Sequence, residues 1–255
     1  MPYAGIFDTH AHYDDARFDP CREALLRELP RRGVALVVNC GSDLESSARS
    51  LELTAAYPYF YAAVGIHPHE CGEAPADWEP RLLALAAHSK AVAIGEIGLD
   101  YHYDFSPRET QRLFFRRQCE LANRLGLPVI VHDREAHADT FDILSELRPR
   151  GVLHCYSGSA EQAQQYARMG FYFGFGGAVT FKNARRALES AAVIPPDRLL
   201  LETDCPYMAP VPHRGELCTS DMIALTAERL AAELGTEPQA LIDWARDNGR
   251  RLFGI

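Results

Sequence analysis

Residues 91–100 read AVAIGEIGLD, an apolar run that is interrupted by a single carboxylate, Glu96. A run rich in Val, Ile and Leu is typical of a strand of a parallel sheet that is buried on both faces. An unpaired charge inside such a strand would cost several kcal/mol, so Glu96 needs a cation. The stretch therefore predicts a buried strand that also carries chemistry.

Similar apolar runs recur along the chain with amphipathic segments between them, and this alternation predicts a parallel sheet covered by helices. Helical periodicity is clear from Glu109 to Leu125, and two terminal helices are predicted at about 220–234 and 238–252. The predicted strands begin near Ile6, Val34, Tyr59, Ala91, Pro128, Gly151, Phe171 and Leu199. Eight strand–helix units in 255 residues favour a (β/α)8 TIM barrel, with a doubly wound open sheet as the alternative. No linker divides the chain, so residues 1–255 are expected to form a single domain.

Composition excludes several classes of protein. With 47% hydrophobic and 24% charged residues, the chain has enough apolar sequence for a full core and is neither disordered nor fibrous. A formal net charge of −9 argues against a broad basic surface for duplex nucleic acid, so an anionic substrate must be bound locally. Seven cysteines without a CxxC pair are typical of a reduced intracellular protein. With no signal-like or membrane-spanning run, we expect a cytoplasmic protein with no membrane association.

Polar residues stand where the apolar runs end, which is where TIM barrels assemble their active sites. His10 and His12 are two residues apart, so on a strand their imidazoles point to the same side and can reach one ion. His132 follows Pro-Val-Ile-Val, and His154 follows Gly-Val-Leu. Taken singly, the His10–His12 pair is explained equally well as polar residues at a strand end, and His132 or His154 is better explained as a core or rim histidine. Their coincidence with Glu96 and Asp204 favours a metal site.

The donor set also suggests how many ions bind. Four imidazoles and two carboxylates exceed what one tetrahedral site uses, whereas a two-metal centre with a bridging carboxylate uses about this many ligands. Mixed nitrogen and oxygen ligands without thiolate suit Zn, Mn or Mg, and the residue types do not choose among these ions. The sequence therefore predicts two divalent ions of unassigned identity.

At these positions the sequence resembles the TatD family of metal-dependent hydrolases, and the match runs from Ile6 to Phe253. The matching blocks are FDTHAHYD, VGIHPHE, GEIGLDYHYD, SPRETQRLFFRRQCELANRLGLPVIVHDREA, GVLHCYSGS, LLLETDCPYMAP and PHRG. The resemblance implies a TIM barrel and phosphodiesterase activity, typically that of a deoxyribonuclease acting on DNA ends. It also implies a divalent-metal centre in which Glu96 bridges and whose ligands are His10, His12, Glu96, His132, His154 and Asp204.

Further residues receive roles as hypotheses. Catalysis is assigned to Glu96, to Asp204 as a proton acceptor, and to His67, which is also a candidate contact for the substrate phosphate, with His69 a weaker one. Arg134 and Arg214 are candidate substrate-phosphate contacts, although a rim arginine is more often simply solvated. Asp100 and Tyr101 are expected to order the loop after the fourth strand, and Asp8 to support a ligand histidine.

One departure from the family pattern concerns nucleic-acid binding. Family members often follow the RG block with basic residues, whereas this chain continues Arg214-Gly215-Glu216-Leu217 and so loses positive charge. Nucleic acid, as DNA ends or single strands, is nevertheless the expected partner, and no obligate protein partner is implied.

Two other functions remain open at this point. One is a barrel metallohydrolase acting on an amide, a lactone or a small phosphoester. Many of those enzymes bridge their metals with a carboxylated lysine, yet the only lysines here, Lys90 and Lys182, lie outside the apolar runs. The other is an inactive metal-binding scaffold, in which buried carboxylates and histidines would be an unrewarded cost.

Overall fold

The computed structural model describes residues 3–255, and its strands begin within one residue of the predicted positions. The strands are β1 (Ile6–Ala11), β2 (Val34–Cys40), β3 (Phe60–Val64), β4 (Ala91–Asp100), β5 (Val129–Arg134), β6 (Gly151–Leu153), β7 (Tyr172–Phe175) and β8 (Leu199–Leu201). They belong to one sheet in the order β1 to β8. Ala11 bridges Cys205, just after β8, in parallel, so the first strand also lies against the end of the last. The predicted (β/α)8 barrel is confirmed, and the doubly wound alternative, whose strand order reverses, is not.

Helices follow the strands along the chain. Those among the described residues are α1 (Arg22–Glu28), α2 (Leu44–Ala56), α3 (Trp78–Ala86), α4 (Arg108–Leu125), α5 (His137–Leu147), α6 (Ala160–Arg168), α7 (Arg185–Val193), α8 (Ile223–Leu234) and α9 (Pro238–Phe253). Helix α4 begins one residue before the predicted start and ends at Gly126 in the left-handed conformation, as predicted for a glycine stop. Helix α8 begins later than predicted because residues 220–222 form a separate 3-10 turn.

Two compact units can be distinguished by their internal contacts. One joins the chain up to Asn39 with Cys155–Ile255, and the other is Cys40–His154. That the chain forms a single domain stays a prediction.

In the first unit, α9 packs on β1 and β8. The ring of Phe253 lies 6.0 Å from that of Phe7, and the side-chain amide of Asn248 donates to the carbonyl of Leu199. This packing holds the two strands whose ends carry His10, His12 and Asp204.

In the second unit, β4 is buried along its whole length between β3 and β5. Gly98 lies beside His132 in the register, with a φ of 144°. A Cβ at this position would collide with the carbonyl of His132. Only glycine therefore allows β4 to approach β5 this closely where both strands carry functional side chains.

Candidate metal centre

The first group of donors lies at the ends of β1 and β8, and we call it the β1/β8 cluster: His10, His12 and Asp204. The Nε2 atoms of His10 and His12 are 3.0 Å apart. The Oδ1 atom of Asp204 lies 3.8 Å from the Nε2 of His10 and 3.3 Å from that of His12. The predicted convergence of the two imidazoles is therefore present, and the carboxylate predicted to join them does so.

Backbone hydrogen bonds fix this cluster. The N–H of Asp204 donates to the carbonyl of His10, and the N–H of His12 donates to the carbonyl of Cys205. Asp204 itself adopts a left-handed conformation with φ of 63°. For a residue other than glycine this costs roughly 1–3 kcal/mol, and such outliers concentrate at functional sites. The surrounding backbone thus holds the Asp204 carboxylate in a position that the isolated chain would not favour.

Asp8 lies beneath this cluster and is fully buried. Its Oδ1 accepts the N–H groups of His10 and Thr203, and its Oδ2 accepts the hydroxyls of Thr203 and Ser220. Burial raises the pKa of Asp8 to about 7, although these hydrogen bonds oppose the shift. The expected support of a ligand histidine is thus made through the backbone of His10 rather than through its ring.

The second group surrounds the carboxylate of Glu96 in β4, and we call it the Glu96 cluster: His67, Glu96, His132 and His154. The Oε1 atom of Glu96 lies 2.9 Å from Nδ1 of His132, 3.6 Å from Nε2 of His67 and 3.9 Å from Nε2 of His154. The charge that the sequence placed inside an apolar strand is therefore flanked by three imidazoles. The residues come from β4 and β5 and from the segments after β3 and β6.

Asp100, at the end of β4, holds the other side of His132. Its Oδ2 lies 3.1 Å from Nε2 of His132 and 2.8 Å from Nε2 of His69, while its Oδ1 accepts the N–H groups of His102 and Tyr103. The sequence predicted that Asp100 orders this loop, and it does. The contact with His132 was not predicted, because nothing in the spacing shows which way a loop turns after a strand.

The electrostatics of the Glu96 cluster favour positive charge. Burial alone would lower the pKa of His132, but hydrogen bonds with the Asp100 and Glu96 carboxylates outweigh it and raise the pKa to about 10. His67 responds in the opposite sense: burial lowers its pKa to about 4, despite the nearby Glu96 charge. The two carboxylates thus create a field in which one cationic centre is stable and a second protonated imidazole is not.

A divalent cation fits the donor types in both clusters. Around a tetrahedral ion with bonds of about 2.0–2.1 Å, neighbouring ligand atoms are about 3.4 Å apart. The His10–His12 and His12–Asp204 separations of 3.0 and 3.3 Å are close to this value. In the Glu96 cluster, donor atoms of His67, Glu96 and His132 also lie within 4.8 Å of one another. A carboxylate on the far nitrogen of a ligand histidine, as Asp100 provides for His132, is the usual support for such a ligand.

Glu202 contributes a second structural carboxylate. It is buried, and its Oε1 accepts the N–H of Cys155 at 2.6 Å, so it fixes the backbone just after His154. A Cβ at position 174 would collide with this carboxylate, which explains the glycine there. Glu202 lies two residues before Asp204, and the sequence did not predict its hydrogen bond with Cys155.

The two arginines proposed for substrate contact are both exposed. The guanidinium of Arg134 lies 4.6 Å from the centre of the Tyr103 ring, and that of Arg214 lies 4.2 Å from the centre of the Phe181 ring. In the acidic segment after Arg214, Glu216 pairs with His213 at 3.0 Å. The phosphate-binding role of the arginines stays a prediction.

Comparison with known proteins identifies the family of the chain. Residues 7–254 match the family described as TatD related DNase. The chain belongs to the TatD family. It is 39% identical over 253 residues to the uncharacterized metal-dependent hydrolase YabD of Bacillus subtilis, covering 98% of this chain and 99% of that protein. It is 35% identical over 261 residues to the 3'-5' ssDNA/RNA exonuclease TatD of Cronobacter sakazakii, covering 97% of each.

The solved structures include a close match to this TatD-family chain. The crystal structure of YJJV, a TatD homologue from Escherichia coli K12, aligns with a TM-score of 0.91 at 31% identity, over 99% of both chains. The predicted family, the TIM-barrel fold and the assignment as a metal-dependent hydrolase of ester bonds are confirmed. Among the described residues, no helix is long and apolar enough to cross a membrane.

Proposed function

We propose that this TatD-family hydrolase removes nucleotides from the 3' end of single-stranded DNA or RNA and uses two divalent ions of Zn, Mn or Mg. The ligands in this proposal are the six residues His10, His12, Glu96, His132, His154 and Asp204, with Glu96 shared. The observation that carries it is the pair of donor clusters at strand ends, each containing imidazoles and a carboxylate. The direction and substrate class are supported by relatives named 3'-5' ssDNA/RNA exonuclease.

Divalent ions at these ligands supply positive charge for the phosphoryl oxygens and lower the pKa of a water molecule. The chain's own side chains then have three tasks. Glu96 orients the imidazoles around it, and Asp100 fixes the ring of His132 from the far side. Asp204, whose side chain is 21% exposed, is the proposed acceptor of a proton from the attacking water.

His67 is the proposed contact for the substrate phosphate. Burial lowers its pKa to about 4, which favours a neutral ring. Its Nδ1 accepts the N–H of His69, so the ring donates through Nε2, the nitrogen that lies 3.6 Å from Glu96. Arg134 and Arg214 are the proposed charged contacts of the same substrate.

A bridging lysine, which many barrel hydrolases of other substrates use, has no support here. The Nζ of Lys90 donates to the carbonyl of Pro58 and lies over the ring of Tyr61, and Lys182 is exposed. This argues against the amide and lactone alternatives, and relatives named as exonucleases argue against an inactive scaffold.

The test is a matrix of metals and substrates. Purified protein is stripped with chelator, reloaded singly with Zn, Mn or Mg, and assayed on 5'-labelled single-stranded DNA, single-stranded RNA and duplex DNA. We expect activity to disappear on chelation, to return with metal, and to give stepwise shortening of the single strands. Turnover that persists after complete metal removal, or lactone and amide turnover without oligonucleotide cleavage, would refute the proposal.

A further inference from the structure

Two large aromatic side chains lie exposed in the loop after β4. Tyr103 is 48% exposed and Phe105 is 69% exposed. Their rings are stacked, with centres 5.3 Å apart and planes inclined by 17°. We call them the β4 aromatic pair. Exposing two stacked rings forgoes the free energy of burying them, so the arrangement needs a reason beyond folding.

The backbone around this pair is fixed. The N–H of Tyr103 donates to the carboxylate of Asp100 at 2.9 Å. Asp104, which lies between Tyr103 and Phe105 in the sequence, adopts a left-handed conformation with φ of 50° and forms an ion pair with Arg108 at the start of α4. The rings are therefore presented in one geometry before any ligand arrives, which reduces the entropy lost on binding.

The pair also adjoins the Glu96 cluster through short contacts. The ring of His69 lies 4.8 Å from that of Phe105 and 5.5 Å from that of Tyr103. The carboxylate of Asp100 forms hydrogen bonds with the rings of both His69 and His132. The ring of Phe105 is thus separated from the proposed metal ligand His132 by only the side chains of His69 and Asp100.

A cation completes the surface. The guanidinium of Arg134 lies 4.6 Å from the centre of the Tyr103 ring, and Phe105 is stacked on the same ring. An exposed aromatic surface beside a positive charge is the combination by which proteins bind single-stranded nucleic acid: bases stack on rings and the charge attracts the backbone. A base inside a duplex is already stacked on both faces and paired along one edge, so it cannot use such a surface without being unpaired.

We propose that the β4 aromatic pair is a stacking platform for a base of the single-stranded substrate close to the scissile phosphodiester, with Phe105 as the contact ring. The inference rests on the proposed nuclease function and assigns a binding subsite within it. It also accounts for a protein of net charge −9 that lacks the basic residues after Gly215, because stacking supplies affinity that charge does not. Arg134, which lies over the ring of Tyr103, would then contact the substrate phosphate.

The experiment is a double-mutant cycle in which one change is a substitution of Phe105 and the other is the removal of one base from the substrate. Phe105→Ala, Phe105→Trp and wild type are compared on a single-stranded oligonucleotide and on versions with one abasic site placed at each position near the 3' end in turn. Trp244→Ala is the matched control, because Trp244 in α9 is 41% exposed and lies in the other unit. Metal content and melting temperature are measured for each variant.

We expect Phe105→Ala to raise KM for the intact strand about tenfold, within a range of roughly 5- to 150-fold for loss of one base stack, with little change in kcat. At one abasic position the variant and wild type should become equal, because the base that would stack is missing. Phe105→Trp should retain wild-type KM, and Trp244→Ala should change nothing.

Three results would overturn the platform. They are an unchanged KM for Phe105→Ala, an equal loss on intact strands and at every abasic position, and a loss of bound metal in that variant, which would indicate an effect through His69 and Asp100. Failure of the nuclease proposal gives a different result, since wild type would then cleave none of the oligonucleotides.

Discussion

The β1/β8 cluster and the Glu96 cluster gather the same donor types but hold them differently. In the β1/β8 cluster the support is a backbone anchor: Asp8 binds the N–H groups of His10 and Thr203 and leaves the imidazole rings alone. In the Glu96 cluster the support is side chain to side chain, because Glu96 and Asp100 flank the two nitrogens of His132. A metal-ligand geometry can therefore be held through the backbone of the strand that carries the ligand or through the side chain of the ligand itself. Mutations of Asp8 and of Asp100 should distinguish these two kinds of support.

The largest effect is expected from the proposed bridging carboxylate. Glu96→Gln should lower kcat/KM by on the order of 10³-fold, because several kcal/mol of charge stabilisation depend on the metals, and bound metal should fall below one ion per chain. Asp204→Asn should lose comparable activity but keep about one ion, since its carboxylate belongs to the β1/β8 cluster. Metal analysis and kinetics on single strands measure both. Equal metal content in the two variants would remove the distinction between the clusters.

Loss of the backbone anchor at Asp8 should lower the stability of the protein. Asp8→Ala leaves four buried donors without their acceptor and should lower the free energy of unfolding by roughly 2–4 kcal/mol. For a chain of this size that corresponds to a fall of roughly 5–15 °C in the melting temperature. Thermal unfolding of the metal-free protein is the measurement, with Asp8→Asn as the milder control, because its amide retains one acceptor oxygen. A wild-type melting temperature for Asp8→Ala would mean that the strand is held by other contacts.

The side-chain anchor should reveal itself in metal affinity. Asp100→Asn removes the charge beside Nε2 of His132 and should weaken metal binding or activity about 10- to 100-fold, as expected when a carboxylate supporting a ligand histidine is lost. The melting temperature of the metal-free protein should change less than it does in Asp8→Ala. Metal affinity is measured by titration and the melting temperature by calorimetry, for both Asp100→Asn and Asp8→Ala. If Asp100→Asn instead lowered stability without changing metal affinity, the contrast drawn between the clusters would be wrong.

A surface carboxylate sets the lower end of this scale. Desolvation acts to raise the pKa of Glu79, but hydrogen bonds with Arg124 and Arg117 and their positive charges together outweigh it and lower the pKa. A depressed folded-state pKa adds stability above the unfolded pKa of about 4.3, and that stability is lost as pH falls through the folded value. Glu79→Gln should therefore cost under about 1 kcal/mol at pH 7, and the cost should vanish in acid. The free energy of unfolding of wild type and Glu79→Gln, measured at pH 7 and in acid, tests this prediction. The nuclease activity of the variant should be unchanged.

Much of the fold followed from the sequence because the strands are buried on both faces. Every strand begins within one residue of its predicted start, since a run such as 91–100 can be accommodated only where apolar side chains surround it. The metal ligands were named from the same logic: a charge such as Glu96 inside that run must have a partner. His12 and Asp204 lie 3.3 Å apart in one unit, and Glu96 and His132 lie 2.9 Å apart in the other; their role as metal ligands stays a prediction.

Individual side-chain contacts did not follow from the sequence. The expectation that Asp8 supports a ligand histidine was met through a backbone N–H rather than a ring, and the contact of Asp100 with His132 was absent from the predictions. The stacking of Tyr103 on Phe105 was equally unforeseen, because it depends on the left-handed conformation of Asp104. Local propensity does not specify such a conformation when the residue is not glycine.

The sequence by itself determined the alternation of strands and helices, the family, and the residue types that can bind metal, because burial and periodicity act along the chain. The tertiary structure alone decided which carboxylate lies on which side of His132, which backbone Asp8 anchors, and which aromatic rings stay in solvent. Those choices depend on distances between side chains far apart in sequence and on turns set by a few dihedral angles, and neither leaves a periodic trace in the order of the residues.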